Sequence, residues 1–332
     1  SGRAAMIIDA HHHVWDPGTR QHAWLDELPG LNRPFGLADF DQVSAPEGVT
    51  ASVLVQVLAS AAETEEFLAL AAGTGGADGP SGAAEVGSGR GLAGGAATAD
   101  GVAEVGGARE GLTIAGVVGW ADLTSPRVAD EIARLRAGPG GGRLVGIRHL
   151  VESEPDPDWL RRPDVRRGLQ AVGAAGLPYD LLVRPAQLPA ALAVTGELDD
   201  VRFVLDHGAK PPIASGRYEP WASMISELAA RPNVVCKLSG LVTEAGPGWR
   251  PAQIAPYIDH LLDRFGPGRL MFGSDWPVCT LAASYGDVVS LARGALAGRL
   301  GTGELDAFFV ANATSAYGLE LGQADRYGAS GG

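Results

Sequence analysis

Ile8-Asp9-Ala10-His11-His12-His13-Val14-Trp15 is a short apolar run that ends in a His-x-His pair. Residues two apart in a strand share a face, so His11 and His13 present their imidazoles together while His12 turns away and takes no ligand role. A metal ion is thereby offered two nitrogens at once. Far downstream, Arg269-Leu270-Met271-Phe272-Gly273-Ser274-Asp275-Trp276-Pro277 delivers a carboxylate in the same manner. Two apolar strands at opposite ends of a chain, each with polar ligands at its C-terminal tip, predict a closed parallel barrel. The histidines follow a strand-like segment and run on into Val14-Trp15-Asp16, unlike an affinity tag, whereas residues 1–5 read as a cloning remnant.

Apolar runs that read as buried parallel strands cover residues 6–11, 52–58, 114–123, 144–151, 179–183, 201–207, 234–241 and 270–275. Segments with helical spacing, such as 126–137, 163–173, 221–230 and 252–265, lie between most of them, and proline or glycine punctuates the joints. Eight strands alternating with helices predict an α/β fold, a single (β/α)8 TIM barrel over residues 6–322. Residues 73–111 break the rhythm. They are roughly one-third glycine with few large apolar side chains, the composition of a flexible insertion. Its Gly89-x-Gly91-x-x-Gly94 matches a dinucleotide fingerprint, but no strand precedes it and no helix follows, so nucleotide binding is not expected. Residues 323–332 read as a loose tail.

The chain has 332 residues, 45% of them hydrophobic, and a formal net charge of −13. An acidic surface repels nucleic acid and anionic membranes, so the expected partner is a small-molecule substrate, with a homo-oligomer left open. No apolar stretch has the length of a membrane span and no signal pattern opens the chain, which predicts a cytoplasmic protein. Two cysteines, Cys236 and Cys279, are too few for a disulfide framework and are expected to be reduced.

The strand tips supply the candidate chemistry: His11, His13, Gln56, Trp120 or Asp122, Arg148 or His149, His207, Lys237 and Asp275. Converging histidines and a carboxylate at the ends of apolar strands satisfy one another around a cation. His207 closes Phe203-Val204-Leu205-Asp206-His207 and reads as a ligand or catalytic group. His22 and His260, in loop and helix contexts, read as structural. Asp275 ends a buried strand, where ligating a metal while accepting a proton from its bound water gives a charge reason to be there. Arg148 and His149 are adjacent and face opposite ways, and the guanidinium fork favours Arg148 as the group that binds substrate. Lys237 either lines the pocket or cross-links strands through buried carboxylates. Gln56, Trp120, His149, Lys237 and Trp276 are assigned to the substrate pocket.

Five motifs, Asp9-Ala10-His11-x-His13-x-Trp15-Asp16-Pro17, Gly146-Ile147-Arg148-His149, Leu205-Asp206-His207-x-x-Lys210-Pro211, Cys236-Lys237-Leu238-Ser239-Gly240-Leu241 and Phe272-Gly273-Ser274-Asp275-Trp276-Pro277, together resemble the amidohydrolase-2 branch of the amidohydrolase superfamily. Within it the chain is most similar to sugar-lactone and dicarboxylate-lactone hydrolases of the fuconolactonase and rhamnonolactonase kind. The resemblance implies a distorted barrel with His11, His13, His207 and Asp275 at the site and Asp275 as general base. The wider superfamily often has a bridging Lys or Glu on strand four and a histidine on strand five, and this chain has neither pattern. One divalent ion, zinc, is therefore expected rather than two, with an ion-independent route left open. The activity implied is lactone hydrolysis. Rival readings are metal-dependent decarboxylation of an aromatic or dienoic acid, amide or ester hydrolysis, and a silent binding protein. No Gly-x-Ser-x-Gly elbow supports a serine hydrolase.

Overall fold

A computed structural model of the chain describes residues 6–74 and 112–321. Eight parallel strands pair in sequence order: β1 (Ile7–His12), β2 (Val49–Val55), β3 (Thr113–Gly119), β4 (Leu144–His149), β5 (Tyr179–Leu181), β6 (Phe203–Leu205), β7 (Val234–Leu238) and β8 (Leu270–Phe272). The helices are α1 (Leu37–Ser44), α2 (Ala61–Ala72), α3 (Val128–Ala137), α4 (Pro163–Ala174), α5 (Leu188–Glu197), α6 (Trp221–Ala229), α7 (Leu241–Ala245), α8 (Pro251–Phe265), α9 (Tyr285–Leu296), α10 (Thr302–Asp306) and α11 (Asn312–Tyr317). This is the predicted (β/α)8 barrel.

The sheet closes between β8 and β1 through an isolated parallel bridge, His12 to Trp276, reinforced by the Asp9 carboxylate. That carboxylate accepts from the backbone N–H groups of His11 at 3.0 Å and Ser274 at 2.9 Å and from the Tyr285 hydroxyl at 2.9 Å. A register irregularity between Asp9 and His12 makes this arrangement fit. Ile8 and Ala10 pack inside the barrel, Asp9 turns out to Tyr285, and His11 re-enters on the interior side. Strict alternation alone would have placed Asp9 beside His11.

Two apolar layers surround the strands. The larger lies between strands and helices, with Phe40, Tyr179, Phe203, Trp221 and Phe272 as its big buried members. The smaller fills the barrel with Ile8, Ala10, Ala51, Val53, Val55, Val118 and Val204, and Ala313 and Tyr317 of α11 plug it. The plug sits at the strand starts, where the Asn312 amide donates to the carbonyls of Pro267 and Leu270. The C-terminal tips are left for the polar residues.

Several expected strands end early. Strand six stops at Leu205, not His207, because His207, Gly208, Ala209 and Lys210 all have φ between 48° and 61°. This left-handed turn costs roughly 1–2 kcal/mol for each non-glycine residue and persists because its surroundings fix it. Among them is the Trp221 indole, which donates to Gly208 O at 2.7 Å. Strand eight likewise stops at Phe272 rather than Asp275, whose φ is +57°. Strand two starts earlier and ends earlier than expected, and Gln56 follows it.

Of the expected glycine-rich insertion 73–111, only Gly73 and Thr74 belong to the described residues. The Gly73 N–H closes α2 on Ala69 O, and the Thr74 hydroxyl accepts from Ile114 N at 2.9 Å. The Gly89–Gly94 motif, residues 1–5 and the 323–332 tail lie outside the described residues. Cys236 and Cys279 are buried free thiols. Among the described residues no helix is long and apolar enough to cross a membrane.

Candidate active site

His11, His13, His207 and Asp275 meet at the C-terminal mouth, held by elements far apart in sequence. The His13 Nδ1 lies 2.8 Å from Val55 O. A carbonyl only accepts, so Nδ1 carries the proton and the His13 Nε2 presents a bare lone pair. His207 Nδ1 lies 2.7 Å from Ser239 Oγ, and Gly240, with φ +67°, leaves room for the ring: a Cβ there would come within 2.8 Å of Nδ1. Asp275 is anchored by its N–H donating to His11 O at 2.8 Å.

The inward-facing atoms are close. His11 Nε2 and His13 Nε2 are 3.1 Å apart. Asp275 Oδ1 lies 3.7 Å from His11 Nε2, 3.5 Å from His13 Nε2 and 3.8 Å from His207 Nε2. Ligand atoms around a tetrahedral zinc at ~2.0–2.1 Å stand about 3.3 Å apart, so the spacing fits one ion. His11, His207 and Asp275 each offer a ligand atom within 4.8 Å of the others, and His13 Nε2 stands beside two of the three, His11 and Asp275.

Protonation states agree with that use. Burial lowers the pKa of all three imidazoles, His207 to about 4, and for His11 the Lys237 charge lowers it further. Burial would raise the Asp275 carboxyl, but His207, His13 and His11 outweigh it and hold it below the usual carboxylate range. Neutral imidazoles and an ionised carboxylate are the forms that bind a cation.

A second polar cluster lies beside the first. Asp206 Oδ2 accepts from Arg148 Nη1 at 3.0 Å, and its Oδ1 stands 3.0 Å from Lys237 Nζ and 3.3 Å from His11 Nδ1. Lys237 also donates to Asp180 Oδ2 at 2.7 Å, which accepts from the Tyr317 hydroxyl at 2.7 Å. Arg148 and Asp180 are register partners on β4 and β5, so the cluster crosses four neighbouring strands or their tips. Asp180 and Asp206 were not among the residues singled out from sequence. The Leu-Asp-His order at the end of β6 was the available signal for Asp206, while Asp180 had only its place mid-strand.

The other expected site residues fall into three situations. Arg148 does face inward and His149 away, as adjacency requires; the arginine is held by Asp206 and by the Gln56 carbonyl. Gln56 is itself buried, its amide donating to Arg148 O at 3.2 Å. Lys237 is fully enclosed by Asp180, Asp206 and His11, which is the cross-linking alternative and not a pocket lining. Trp276 packs its ring against Phe35 and Phe40 in the outer core, so it builds the wall behind Asp275. Trp120 and His149 remain half-buried on the rim: the indole donates to His149 Nδ1 at 3.0 Å, and Nε2 lies 2.7 Å from Glu154. His12 bonds Ser52 Oγ and stacks on Phe40, away from the site. His22 and His260 stay outside the cluster, bonded to backbone carbonyls.

A barrel with a His-x-His first strand, a histidine after the sixth and an aspartate after the eighth defines an amidohydrolase site. The amidohydrolase family model matches residues 8–319, and the chain belongs to that family of enzymes. It is 38% identical over 281 residues to the L-fucono-1,5-lactonase of Burkholderia ambifaria, covering 84% of this chain and 83% of the relative. The L-fucono-1,5-lactonase of Burkholderia multivorans is 34% identical over 329 residues, 95% of this chain and 97% of the relative. A crystal structure of a Burkholderia multivorans amidohydrolase with bound zinc superimposes with a TM-score of 0.77 at 34% identity, covering 95% of this chain and all of that one.

Proposed function

We propose that the chain hydrolyses a sugar lactone of the L-fucono-1,5-lactone type, with Asp275 as general base and His11, His13, His207 and Asp275 as ligands of one zinc ion. The observation that carries this reading is the buried, ionised Asp275 carboxylate set 3.5–3.8 Å from three neutral imidazoles. The names of the two lactonase relatives and the zinc in the related crystal structure support it. When bound, a divalent ion lowers the pKa of water and polarises a carbonyl. Asp275 accepts a proton from water as the water oxygen bonds to the ring carbonyl carbon. The buried Arg148 charge supplies a positive field for the developing oxyanion. Collapse of the adduct breaks the ring C–O bond, and Asp275 returns its proton to the departing ring oxygen. The product hydroxy acid ionises and releases one proton to solvent.

Acid release from L-fucono-1,5-lactone, followed with a pH indicator and with elemental analysis on the same preparation, tests this. Expected are turnover and about one equivalent of zinc, which the joint change His11→Ala with His13→Ala removes while the circular dichroism stays barrel-like. No acid release from any sugar lactone would overturn the activity. Two equivalents of metal would overturn the single-ion site.

A further inference from the structure

We propose that Glu152, Arg184, Lys210 and Glu244 form a subsite that takes the hydroxyl groups of the substrate ring; the inference rests on the lactonase reading. These residues follow β4, β5, β6 and β7, so four consecutive strand tips deliver them to the end of the barrel that holds Asp275. Glu152 Oε2 accepts from Lys210 Nζ at 2.7 Å and stands 3.3 Å from Arg184 Nε. Arg184 Nη1 reaches Glu244 Oε2 only at 3.9 Å, which leaves that carboxylate most of its acceptor capacity. The side chains of Glu152, Lys210 and Glu244 are 17%, 16% and 18% exposed, partly dry yet reachable.

The quartet adjoins the reacting groups. Lys210 ends the left-handed turn that begins at His207, so the strained backbone that aims the imidazole also places the ammonium. The Lys210 charge is felt by His207, and the Asp275 charge by Glu244. On the side after β1, Trp15, whose ring centroid lies 6.5 Å from that of His13, is buried in the outer core. A ring seated over Asp275 meets alternating carboxylates and cations on the side formed after β4 to β7. A hydroxyl both donates and accepts, and such an array answers both needs. Two positive and two negative groups leave no net charge, which suits a neutral polyol ring.

The test compares a hydroxylated lactone, L-fucono-1,5-lactone, with the unsubstituted δ-valerolactone in wild type, Lys210→Met and Glu244→Gln. The readout is the ratio of kcat/KM for the two lactones. Loss of a charged hydrogen-bond partner should cut that ratio about ten- to a hundredfold, mainly through KM on the hydroxylated ring. If both lactones slow in equal proportion, or the ratio is unmoved in both variants, the quartet merely ties loops together and the proposal fails. Glu244→Gln touches only the 3.9 Å pair and keeps the test decisive should Lys210→Met not fold. Wild-type protein that opens neither lactone would defeat the lactonase reading itself, a separate result.

Discussion

In the cluster of Arg148, Asp180, Asp206 and Lys237, buried carboxylates meet buried cations at 2.7–3.0 Å, whereas among His11, His13, His207 and Asp275 the facing atoms are mostly acceptors. Both groups lie in the same barrel and are almost completely removed from water. Isolation from solvent is costly for either unless partners are supplied. The first cluster pairs carboxylate with cation, with the Tyr317 hydroxyl added from the plug, although Arg148 Nε and Asp180 Oδ1 make no hydrogen bond among the described residues. The second directs its outer nitrogens to Val55 O, Ser239 Oγ and, for His11, Asp206 Oδ1, and turns its inner nitrogens and the Asp275 carboxylate toward one another, with Arg148 Nη1 3.4 Å from His11 Nε2. Opposite charges paired across strands mainly hold the barrel together, with Arg148 also lending its field to the mouth, whereas imidazole lone pairs and a carboxylate turned toward one another make a place for a cation.

Asp275→Asn strikes the histidine cluster and carries the largest effect. The amide keeps the shape but accepts no proton, so kcat should fall by roughly 10²–10⁴ with thermal stability little changed. Steady-state rates on the lactone, alongside a melting curve, check this. Near-normal turnover by the folded variant would remove Asp275 as the base.

Lys237→Met strikes the ion-paired cluster and should show the reverse pattern. It leaves Asp180 and Asp206 facing each other without their shared ammonium, at a cost of about 3–5 kcal/mol in denaturant unfolding. If stability holds while activity alone collapses, Lys237 belongs with the site after all and the division between the clusters fails.

The two clusters were unequally legible in the sequence. His11, His13, His207 and Asp275 stand out because each interrupts an apolar run at its end, where a polar residue needs a reason. Asp180 sits inside Tyr179-Asp180-Leu181, and nothing in its neighbours tells that Lys237, on a strand two places away, points at it. Arg148 was readable as inward from simple adjacency with His149. Lys237 left two readings because periodicity gives the face of a strand but not what stands across the barrel. The left-handed turn at 207–210 was hidden for a different reason: only one of its four residues, Gly208, is a type that favours positive φ. Sequence places Trp276 beside Asp275, but the positive φ of Asp275 lets the chain turn so that the indole packs outward.

Glu63 belongs to neither cluster and sharpens the contrast, since it is buried with backbone partners and has no ion-pair partner among the described residues. Its carboxylate accepts from Val57 N at 2.8 Å and Leu58 N at 2.9 Å, and burial raises its pKa to about 7 from 4.5. Between those values the folded protein holds a proton that the unfolded chain has lost. Stability contributed here is therefore fully present below about pH 4.5 and falls as pH rises toward 7, by on the order of 3 kcal/mol in total. Glu63→Gln, which can still accept from both N–H groups, should flatten this slope. Denaturant midpoints measured across that range read it directly, and an unchanged slope would assign the titration elsewhere.

The smallest effect is expected for the glycine-rich stretch, which has few large apolar side chains. It connects the end of α2 to the start of β3, and a helix-to-strand connection leaves from the barrel face opposite the site. Thr74 and Ile114 are already joined by a 2.9 Å hydrogen bond, so the frame holds the two ends together without help from the residues between. Closing a loop costs entropy that grows only with the logarithm of its length, about 0.6 kcal/mol per doubling. Replacing residues 77–109 by a short Gly-Ser linker should then raise stability by roughly 1–2 kcal/mol at most, a few degrees in Tm, and leave kcat as it was. A thermal melt and a rate measurement on the shortened chain decide this. A fall in Tm of about ten degrees would mean that the stretch packs on the barrel and contributes far more than its composition allows. Loss of turnover at full stability would mean that it reaches the site around the barrel's edge, and the opposition of the two faces would no longer describe the molecule.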